Sequence, residues 1–336
     1  MTDLWAVPDF PYEPRDAQEL RELEGAYLTP VRQGPLRVLN RPTGWLRGAV
    51  HDRDGRLVVA SQKIGGLHGN QVAQADPSRV APRTGVRRLE GTWLYGGHWM
   101  AHFGHFITET VTTLWPRDLE VQGLVFHRYL RSFDPRVQSW QLELLERCGW
   151  GGLPIEVVTN EPVGVERLWV PSRSVVANGW AHQGAVDVWE RMAASAGAQV
   201  PGPESVFLSR RAFNDQRREE GLPTRTSARR DRRLDRAFAE AGFTVVAPEA
   251  LSAAEQIALV AGARTLAGCS GSALHLSAFA PAGTRVLELG DNRSVGASVP
   301  MQRVIDHVRE HPTAFVPRSV PASELPATLQ RLGIAN

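Results

Sequence analysis

The residues best suited to catalysis or metal binding are three histidines and a glutamate in one short segment, His98-Trp-Met-Ala-His102-Phe-Gly-His105-Phe-Ile-Thr-Glu109. If the segment is helical throughout, these four side chains share one stripe at spacings of 4, 3 and 4 residues. Such a stripe can bind a metal ion, or His105 and Glu109 can perform acid–base chemistry. Helix capping or burial in the core is the structural alternative.

Acid–base chemistry needs fewer of these side chains than metal binding does. Gly104 is expected to start or bend the helix, and consecutive histidines on one helix seldom converge on one ion. A general base requires only one histidine or carboxylate with a tuned pKa, oriented by a neighbour. We therefore expect no metal, and the pattern favours His105 or Glu109 as a base.

A second group of residues has the composition of an anion site. Ser209-Arg210-Arg211 directly follows one strand-like segment, and Ser270-Gly271-Ser272 follows another. Two guanidinium groups can hold a diphosphate in bidentate fashion, and backbone N–H groups at 270–272 can face a phosphate at the positive end of a helix. Gly271 has no side chain to obstruct the phosphate. A solvated arginine pair and a structural turn are the alternatives, and neither a Walker A loop nor a dinucleotide-binding glycine pattern is present.

The basic residues are nearly all arginine: Lys63 is the only lysine, and the other 37 are arginines. We attribute this bias to genome composition rather than to function. Ten arginines fall between 210 and 236, and those after Arg211 alternate with acidic residues, which predicts a solvated loop and helix face. The net charge of only +2 argues against a nucleic-acid-binding protein.

The elements that must position these residues change character near residue 200. Residues 1–90 predict short strands and turns, with hairpin-type turn chemistry at Asp52-Arg53-Asp54-Gly55. Helices are predicted at 105–115, 137–148 and 184–197, and strands at 124–126, 155–158 and 167–170. Val200-Pro-Gly-Pro203 predicts a linker, so we divide the chain into lobes 1–200 and 201–336.

Strands and helices alternate regularly after this linker. Strands are predicted at 205–209, 243–246, 264–268 and 285–289, and helices at 232–241, from Ser252, at 272–279 and from Ser323. Ser252 and Glu255 form a capping-box pattern. This alternation predicts a parallel sheet with helical crossovers, a Rossmann-like lobe. In such a sheet, ligands bind outside the carboxyl ends of the strands, which is where Arg210 and Gly271 fall.

Length and composition bound the remaining possibilities. A chain of 336 residues with 42% hydrophobic and 22% charged residues predicts two ordinary globular lobes. Cys148 and Cys269 form neither a disulfide framework nor a zinc ribbon, so we expect a reduced, cytoplasmic protein. There is no run of about 18 apolar residues, and the first residues lack the basic and apolar regions of a signal peptide.

Together these segments resemble glycosyltransferase family 61, also known as the DUF563 family. Phe207-Leu-Ser-Arg-Arg211 resembles its strand–Ser–Arg element, and Gly242 to Ile257, with Pro248-Glu-Ala-Leu-Ser252 and Glu255-Gln-Ile257, resembles its Gly-Phe…Pro-Glu-x-Leu-Ser…Glu-Gln-Ile segment. Gly268 to Leu289 resembles its Gly-x-His-Gly-Ala-x-Leu…Pro-Gly-Thr…Glu ending. Gly104-His105-Phe106…Glu109…Trp115-Pro116 resembles its His-x-x-x-Asp helix. The similarity spans about 90–290.

The resemblance implies an α/β, GT-B-like fold, with two Rossmann-like lobes facing a central cleft and the donor bound mainly by the C-terminal lobe. It implies inverting transfer, without an obligatory metal or other cofactor, from a nucleotide-sugar to a glycan or lipid-linked glycan, in the synthesis of a surface polysaccharide or glycoconjugate. We expect a UDP-linked donor. The departing diphosphate would be bound by Arg210, Arg211, Ser270, Gly271 and Ser272. His105 or Glu109 would take the acceptor's proton, and Glu288 would reach the ribose or be structural.

The sequence departs from the family pattern at several of these positions. The family's His-Gly-Ala is Ser270-Gly271-Ser272 here, its Asn-Glu pair is replaced by Arg230-Asp231, and Glu109 stands where the family has Asp. These changes leave open a different donor, compensation by His275 or the arginines, or reduced activity. A nucleotide- or glycan-binding protein of the same fold without transferase activity is therefore the alternative. Donor sugar, linkage and oligomeric state are not predicted, and peripheral membrane association stays open for a lipid-linked acceptor.

Overall fold

The chain forms two compact units. The computed structural model describes residues 5–9, 17–33, 46–63, 85–129, 136–196 and 202–334. Contacts divide the chain into an N-terminal unit, Tyr12–Val188, and a C-terminal unit, Met1–Pro11 with Trp189–Asn336. This division falls inside the helix Gln183–Ser195, whereas the predicted boundary at 200/201 lies outside the described residues. The assignment of acceptor and donor roles to lobes 1–200 and 201–336 stays a prediction.

The N-terminal unit is built on a mixed sheet. Its strands are β1 Leu20–Leu28, β2 Arg32–Gln33, β3 Leu46–Arg47, β4 Val50–His51, β5 Arg88–Trp99, β6 Gly123–Arg128, β7 Ile155–Val158, β8 Val163–Pro171, β9 Val175–Val176 and β10 Trp180–Ala181. Six of them form a sheet in the order β4-β1-β8-β5-β6-β7. β8, β5, β6 and β7 run parallel, and β1 is antiparallel to both of its neighbours.

The helices of this unit include one irregular segment that carries the candidate base. Helical residues run without a break from α1, Phe103–His105, through a π-helix, Phe106–Thr110, to a 3-10 helix, Val111–Leu114. The predicted helix at 105–115 is therefore confirmed in position, and its apolar residues Phe106, Ile107, Val111 and Leu114 are fully buried. The other helices are a 3-10 helix at Val59–Ser61, α2 at Ser139–Arg147 and α3 at Gln183–Ser195.

The C-terminal unit is a parallel sheet with helical connections. Its elements are β11 Ser205–Leu208, α4 Arg211–Glu219, α5 Ala228–Glu240, β12 Thr244–Val246, a 3-10 helix Pro248–Ala250, α6 Ala253–Val260, β13 Thr265–Cys269, a 3-10 helix Leu274–Phe279, β14 Arg285–Leu289, α7 Pro300–Val308, β15 Thr313–Val316 and α8 Leu325–Arg331. The strand order is β12-β11-β13-β14-β15, and every pair is parallel. The prediction of an α/β protein is confirmed.

The strand order creates a specific place for a ligand in this unit. The chain leaves β11, forms β12 on one side, and then returns to form β13 on the other side of β11. Connections that diverge in this way leave a crevice outside the carboxyl ends of the two strands between which the order reverses, which is where doubly wound sheets bind ligands. Here these two strands are β11 and β13.

The predicted strands of this unit match the structure closely, and the helices match less well. Each of the four predicted strands agrees to within one residue at either end. The capping box is confirmed, since Ser252 Oγ accepts from the Glu255 amide at 3.2 Å and Glu255 Oε2 accepts from the Ser252 amide at 2.8 Å. The expected helix at 272–279 is a 3-10 helix that begins at Leu274, and α4, α7 and β15 were not predicted.

Within the described ranges, the helices are too short or too polar for any of them to cross a lipid bilayer.

Candidate active site

Loops from β11 and β13 meet at Gly271. Arg210 lies two residues beyond β11 and Gly271 two residues beyond β13. Gly271 has a φ of +128°, a region that favours glycine because L side chains are strained there. A side-chain carbon at Gly271 would lie 2.8 Å from Arg225 Nη1 and 3.2 Å from both Arg210 Nη1 and Arg293 Nη2. Three guanidinium groups therefore surround the space over Gly271, and we call these three residues the arginine cluster.

Asp291 organises the arginine cluster. Its buried carboxylate places Oδ2 3.6 Å from Arg225 Nη1 and 3.9 Å from Arg210 Nη1. Its other oxygen, Oδ1, accepts the backbone N–H groups of Arg293 at 2.8 Å and Ser294 at 3.2 Å. One carboxylate thus approaches two guanidiniums and fixes the loop that carries the third. Three positive charges against one negative charge leave the cluster positive overall.

The side chains of Arg210 and Arg225 are partly buried, whereas Arg293 is exposed. Partial burial lowers the pKa of the Arg293 guanidinium, and the positive charge of Arg210 lowers it further. Arginine nevertheless keeps its proton throughout the physiological range. An anion over Gly271 would relieve this repulsion. Arg210 and Arg225 share one neutral acceptor, the Ser270 carbonyl oxygen, at 3.1 and 3.4 Å, and one carboxylate, that of Asp291.

The backbone around Ser270 differs from the expected row of amides. The Ser270 N–H donates to Leu289 O at 3.0 Å, because the ladder between β13 and β14 continues one residue beyond Cys269. Its hydroxyl is also buried, hydrogen-bonded to Ser294 Oγ and 3.3 Å from Leu289 O. Ser270 therefore presents its carbonyl to the arginines rather than its amide. Gly271 and Ser272 precede a short 3-10 helix, so side chains supply most of the positive charge here.

Two other predicted donor-site residues, Arg211 and His275, have partners elsewhere in this unit. Arg211 is half exposed at the start of α4, with Asp215 Oδ2 at 3.7 Å and Asp235 Oδ2 at 3.9 Å. Its geometry matches the alternative of a solvated arginine. His275 is buried, with Nδ1 2.9 Å from Gln302 Oε1 on α7.

Glu288 lies beside Ser270 without belonging to the arginine cluster. Burial raises the pKa of its carboxyl, while hydrogen bonds to the Ser270 and Ser298 side chains and the Val299 amide oppose that shift. The Val299 N–H donates to Glu288 Oε1 at 3.3 Å. These contacts give Glu288 a role in joining β14 to the loop before α7.

Three residues of this site were not identified from the sequence: Arg225, Asp291 and Arg293. Asp291 and Arg293 follow β14 directly, just as Arg210 follows β11, so their position after a predicted strand was a usable signal. Arg225 lies between α4 and α5, and was assigned to a solvated face. Its sequence position carries no signal that it reaches the end of β13.

The histidine segment of the N-terminal unit does not form one helical stripe. His98 lies in β5, His102 precedes α1, His105 ends α1, and Glu109 lies in the π-helix. The condition for a shared stripe, a helix throughout, is therefore not met. Among the described residues, no group of three or more His, Cys, Asp or Glu side chains is arranged to hold a metal ion. A π-helix is rare and often marks a functional site.

His105, Glu109 and Lys63 form a connected group that we call the proton triad. His105 Nδ1 lies 2.6 Å from Glu109 Oε1, and Glu109 Oε2 is ion-paired with Lys63 Nζ. The side chains of Glu109 and Lys63 are 5% and 6% exposed, whereas that of His105 is 51% exposed. An imidazole that donates from Nδ1 to a carboxylate carries its accepting lone pair on Nε2. The triad can therefore present an oriented base to a solvent-accessible substrate.

Two buried histidines of this unit, His98 and His127, have lowered pKa values that keep them neutral. Arg173 Nη2 donates to His98 Nδ1 at 2.6 Å, and Tyr95 Oη lies 2.8 Å from His127 Nδ1. Burial lowers the pKa of His127 to about 3 and the pKa of His98 well below its ordinary value. The positive charge of Arg173 adds to both shifts. Neither histidine can take up a proton near neutral pH.

Comparison with known proteins agrees with the resemblance seen in the sequence. The family model Glycosyltransferase 61 matches residues 103–287, which is more than half of the 336 residues. The match includes His105, Glu109, Arg210, Arg225 and Gly271, and it leaves out Lys63, Glu288, Asp291 and Arg293. No curated protein matches the sequence. The chain belongs to glycosyltransferase family 61.

Proposed function

We propose that this protein is an inverting glycosyltransferase that needs no metal ion. The family supports glycosyltransferase activity in general, with a nucleotide-sugar donor and a glycan acceptor. The proposal goes further and assigns the diphosphate of the donor, which we expect to be UDP-linked, to the arginine cluster. It assigns the proton of the acceptor hydroxyl to His105. The acceptor is a glycan or lipid-linked glycan in polysaccharide or glycoconjugate synthesis.

The observation that carries this proposal is the convergence of Arg210, Arg225 and Arg293 on the space over Gly271. When the bond between the sugar and the diphosphate breaks, its electrons pass to the diphosphate oxygen, so negative charge grows on the leaving group. Preorganised cations stabilise such a charge more in the transition state than in the ground state. Three guanidiniums supply the positive charge that a divalent cation would otherwise supply.

The proton triad supports the other half of the reaction. In an inverting transfer the acceptor oxygen attacks the anomeric carbon from the face opposite the diphosphate, and its proton passes to a base. His105 Nε2 takes this proton, and the Glu109 carboxylate at Nδ1 stabilises the resulting imidazolium. Glu109 itself is buried and paired with Lys63. We therefore assign it to orienting His105 rather than to direct proton transfer.

A GT-B arrangement is part of the proposal. It gives the donor to the C-terminal unit, whose strand order opens a crevice between β11 and β13, and the acceptor to the N-terminal unit. We place the reaction in the cytoplasm, since Cys148 and Cys269 are free thiols, and at the inner membrane when the acceptor is lipid-linked.

The alternative is a nucleotide- or glycan-binding protein of the same fold without transferase activity. Ser270 stands in place of the family's histidine, and its buried hydroxyl is engaged with Ser294, so it does not replace an imidazole at the phosphate. The arginine cluster supplies positive charge at the same place, which favours an active enzyme.

A donor panel separates the two functions. The protein is incubated with UDP-, GDP-, dTDP- and CMP-sugars and a glycan acceptor library, with and without EDTA, and free nucleotide is measured. Acceptor-dependent release of a nucleoside diphosphate that persists in EDTA is the expected result. Nucleotide binding without turnover in any combination would favour the binding protein, and no nucleotide binding would contradict the donor site. His105→Ala protein serves as the control for contaminating activity.

A further inference from the structure

The single lysine of the chain occupies a position that its arginines do not. Thirty-seven basic residues are arginine, and Lys63 is the exception. It is one of the buried charged residues, and its ammonium pairs with Glu109. Lysine is a compact point charge, whereas arginine is a wide planar fork. A general bias toward arginine does not account for a lysine at this place.

The two oxygens of Glu109 contact different partners, one the His105 imidazole and the other the Lys63 ammonium. Oε1 faces His105 Nδ1 at 2.6 Å, and Oε2 faces Lys63. Lys63 Nζ lies 5.7 Å from the centroid of the Tyr129 ring, which adds a cation–π contact. A buried carboxylate is costly without a partner. Lys63 therefore compensates the charge of a buried carboxylate whose other oxygen faces His105.

Other titratable and charged groups surround the triad, and the buried histidines among them stay neutral near pH 7. The groups near the triad or its neighbours are His98, His102, Tyr95, His127, Tyr129 and Arg173. His98 and His127 are neutral because burial and the charge of Arg173 lower their pKa values, and burial raises the pKa of Tyr95. Exposed His102, whose ring centroid is 5.2 Å from that of His105, is the neighbour whose titration must be followed separately.

We propose that Lys63 is a positioning residue for proton transfer: its ammonium holds Glu109 as a carboxylate against His105 and disfavours an added proton on the His105–Glu109 pair. The inference rests on the proposed role of His105 as the base. Lys63 acts through its charge, because a positive charge next to Glu109 opposes the uptake of a proton by the His105–Glu109 pair. By opposing a second proton on the imidazole, Lys63 leaves Nε2 more available to accept a proton from the acceptor hydroxyl.

Titration of His105 tests this role without requiring activity. The ¹³Cε1 signal of His105, assigned by its loss in His105→Gln, is followed against pH in wild type, Lys63→Met and Lys63→Arg. Removing the charge should move the titration midpoint up by about one pH unit, since an adjacent charge shifts a pKa by one to three units. Lys63→Arg keeps the charge but places it on a wider group, so it should raise the midpoint less than Lys63→Met does, and the His102 signal is followed in the same spectra. An unchanged His105 midpoint in folded Lys63→Met protein would overturn the proposal.

A second measurement uses the native lysine and does not depend on the folding of a Lys63 variant. Because the chain has one lysine, labelling with ¹⁵Nζ-lysine gives one side-chain ammonium signal. In Glu109→Gln protein this ammonium should lose its proton at least about one pH unit lower than in wild type, because its counter-charge is gone. Identical titration in both proteins would contradict the pairing on which the proposal depends.

The pH profile of turnover then distinguishes this inference from the proposed function. The acidic limb of kcat/KM should move to higher pH in Lys63→Met by the shift seen for His105, with nucleotide affinity unchanged. A shifted His105 midpoint together with an unshifted limb would show that His105 is not the base, and both assignments would fall. No turnover in wild type, with the His105 midpoint still moved, would overturn the transferase and leave only the electrostatic coupling of Lys63 to the His105–Glu109 pair.

Discussion

The arginine cluster and the proton triad handle charge in opposite ways. In the C-terminal unit, three guanidiniums surround one space, and none of them changes its charge within the physiological pH range. In the N-terminal unit, a histidine, a glutamate and a lysine are linked in series, and these are residue types whose protonation can be tuned near pH 7. A leaving diphosphate needs permanent positive charge, whereas a reacting hydroxyl needs a group that can gain a proton. The residue types follow this division of tasks.

The arginine cluster and the proton triad also differ in which of their side chains are buried. The Arg210 and Arg225 side chains are 12% and 26% exposed, so a ligand with several oxygens can reach them. In the triad only His105 reaches solvent, and the pair that controls it is buried. Low dielectric surroundings strengthen the interaction between Glu109 and His105. The buried Glu109 carboxylate can therefore influence the protonation of the exposed His105 imidazole.

The largest expected effect comes from removing the proposed base. His105→Ala should lower kcat by about 10²- to 10⁴-fold, because general base catalysis contributes that much, and it should leave nucleotide affinity unchanged. His102→Ala removes an exposed neighbouring imidazole and should have little effect. Steady-state kinetics at saturating donor measure both variants, and Glu109→Gln should also lower kcat. Unchanged kcat in both His105→Ala and Glu109→Gln would exclude them from proton transfer.

The second-largest effect is expected on nucleotide affinity, when one arginine of the cluster is removed. Arg225→Ala should weaken binding of a nucleoside diphosphate by about 10- to 100-fold, since a hydrogen bond to a charged group is worth about 1.5–3 kcal/mol. Arg211→Ala is the matched control, because Arg211 pairs with Asp215 and Asp235 at the surface, and it should change affinity by less than about threefold. Isothermal titration calorimetry measures both. Equal losses in the two variants would indicate a diffuse positive field rather than a built site.

The two units also differ in how much of them could be predicted from sequence. The strands of the C-terminal unit, such as Val206-Phe207-Leu208 and Val286-Leu287, are short apolar runs bounded by polar residues, which is the pattern of strands buried on both faces of a parallel sheet. β5 escaped prediction because its glycines look like breakers. Neighbouring side chains leave no room for a larger residue at these positions. A side chain at Gly96 would overlap the Phe126 ring, and one at Gly97 would lie 2.8 Å from Arg173 Nη1.

The candidate site was predictable only where sequence position determines spatial position. Arg210 and Gly271 follow parallel strands, and the ends of parallel strands meet at one edge of a sheet. Arg225 reaches the same place through the connection between α4 and α5, which no periodicity describes. Lys63 was overlooked because the scarcity of lysine was attributed to genome composition. Its importance depends on a contact with a residue 46 positions away.

A third prediction concerns the pH dependence of stability in the N-terminal unit. His127 has a pKa of about 3 when folded and an ordinary value of 6.5 when unfolded. Between these values the unfolded chain binds a proton that the folded chain does not, so the free energy of unfolding falls as pH falls below 6.5. The loss is about 1.7 kcal/mol for His127 between pH 6.5 and pH 5, and His98, whose pKa is also lowered, should add a loss of the same sign.

Hydrogen exchange resolved by peptide can measure this loss within β5 and β6, which carry the two histidines. In His127→Gln protein the pH dependence of exchange in β6 should become weaker, because the contribution of His127 to the free energy of unfolding is lost. The arginines of the cluster should contribute nothing over this range because their charge is constant. The same slope in wild type and His127→Gln would show that another group is responsible.

The smallest effect is expected at Ser270, where the family histidine is replaced. Its hydroxyl is buried and hydrogen-bonded to Ser294 Oγ, and its amide donates to Leu289 O. Ser270→Ala should therefore reduce the free energy of unfolding by about 1 kcal/mol, the net value of one hydrogen bond, with little change in nucleotide affinity. Urea denaturation and calorimetry on the same protein measure the two quantities. A loss of affinity as large as that of Arg225→Ala would mean that the hydroxyl turns to the ligand, and the charge of the arginine cluster would then not be sufficient for binding.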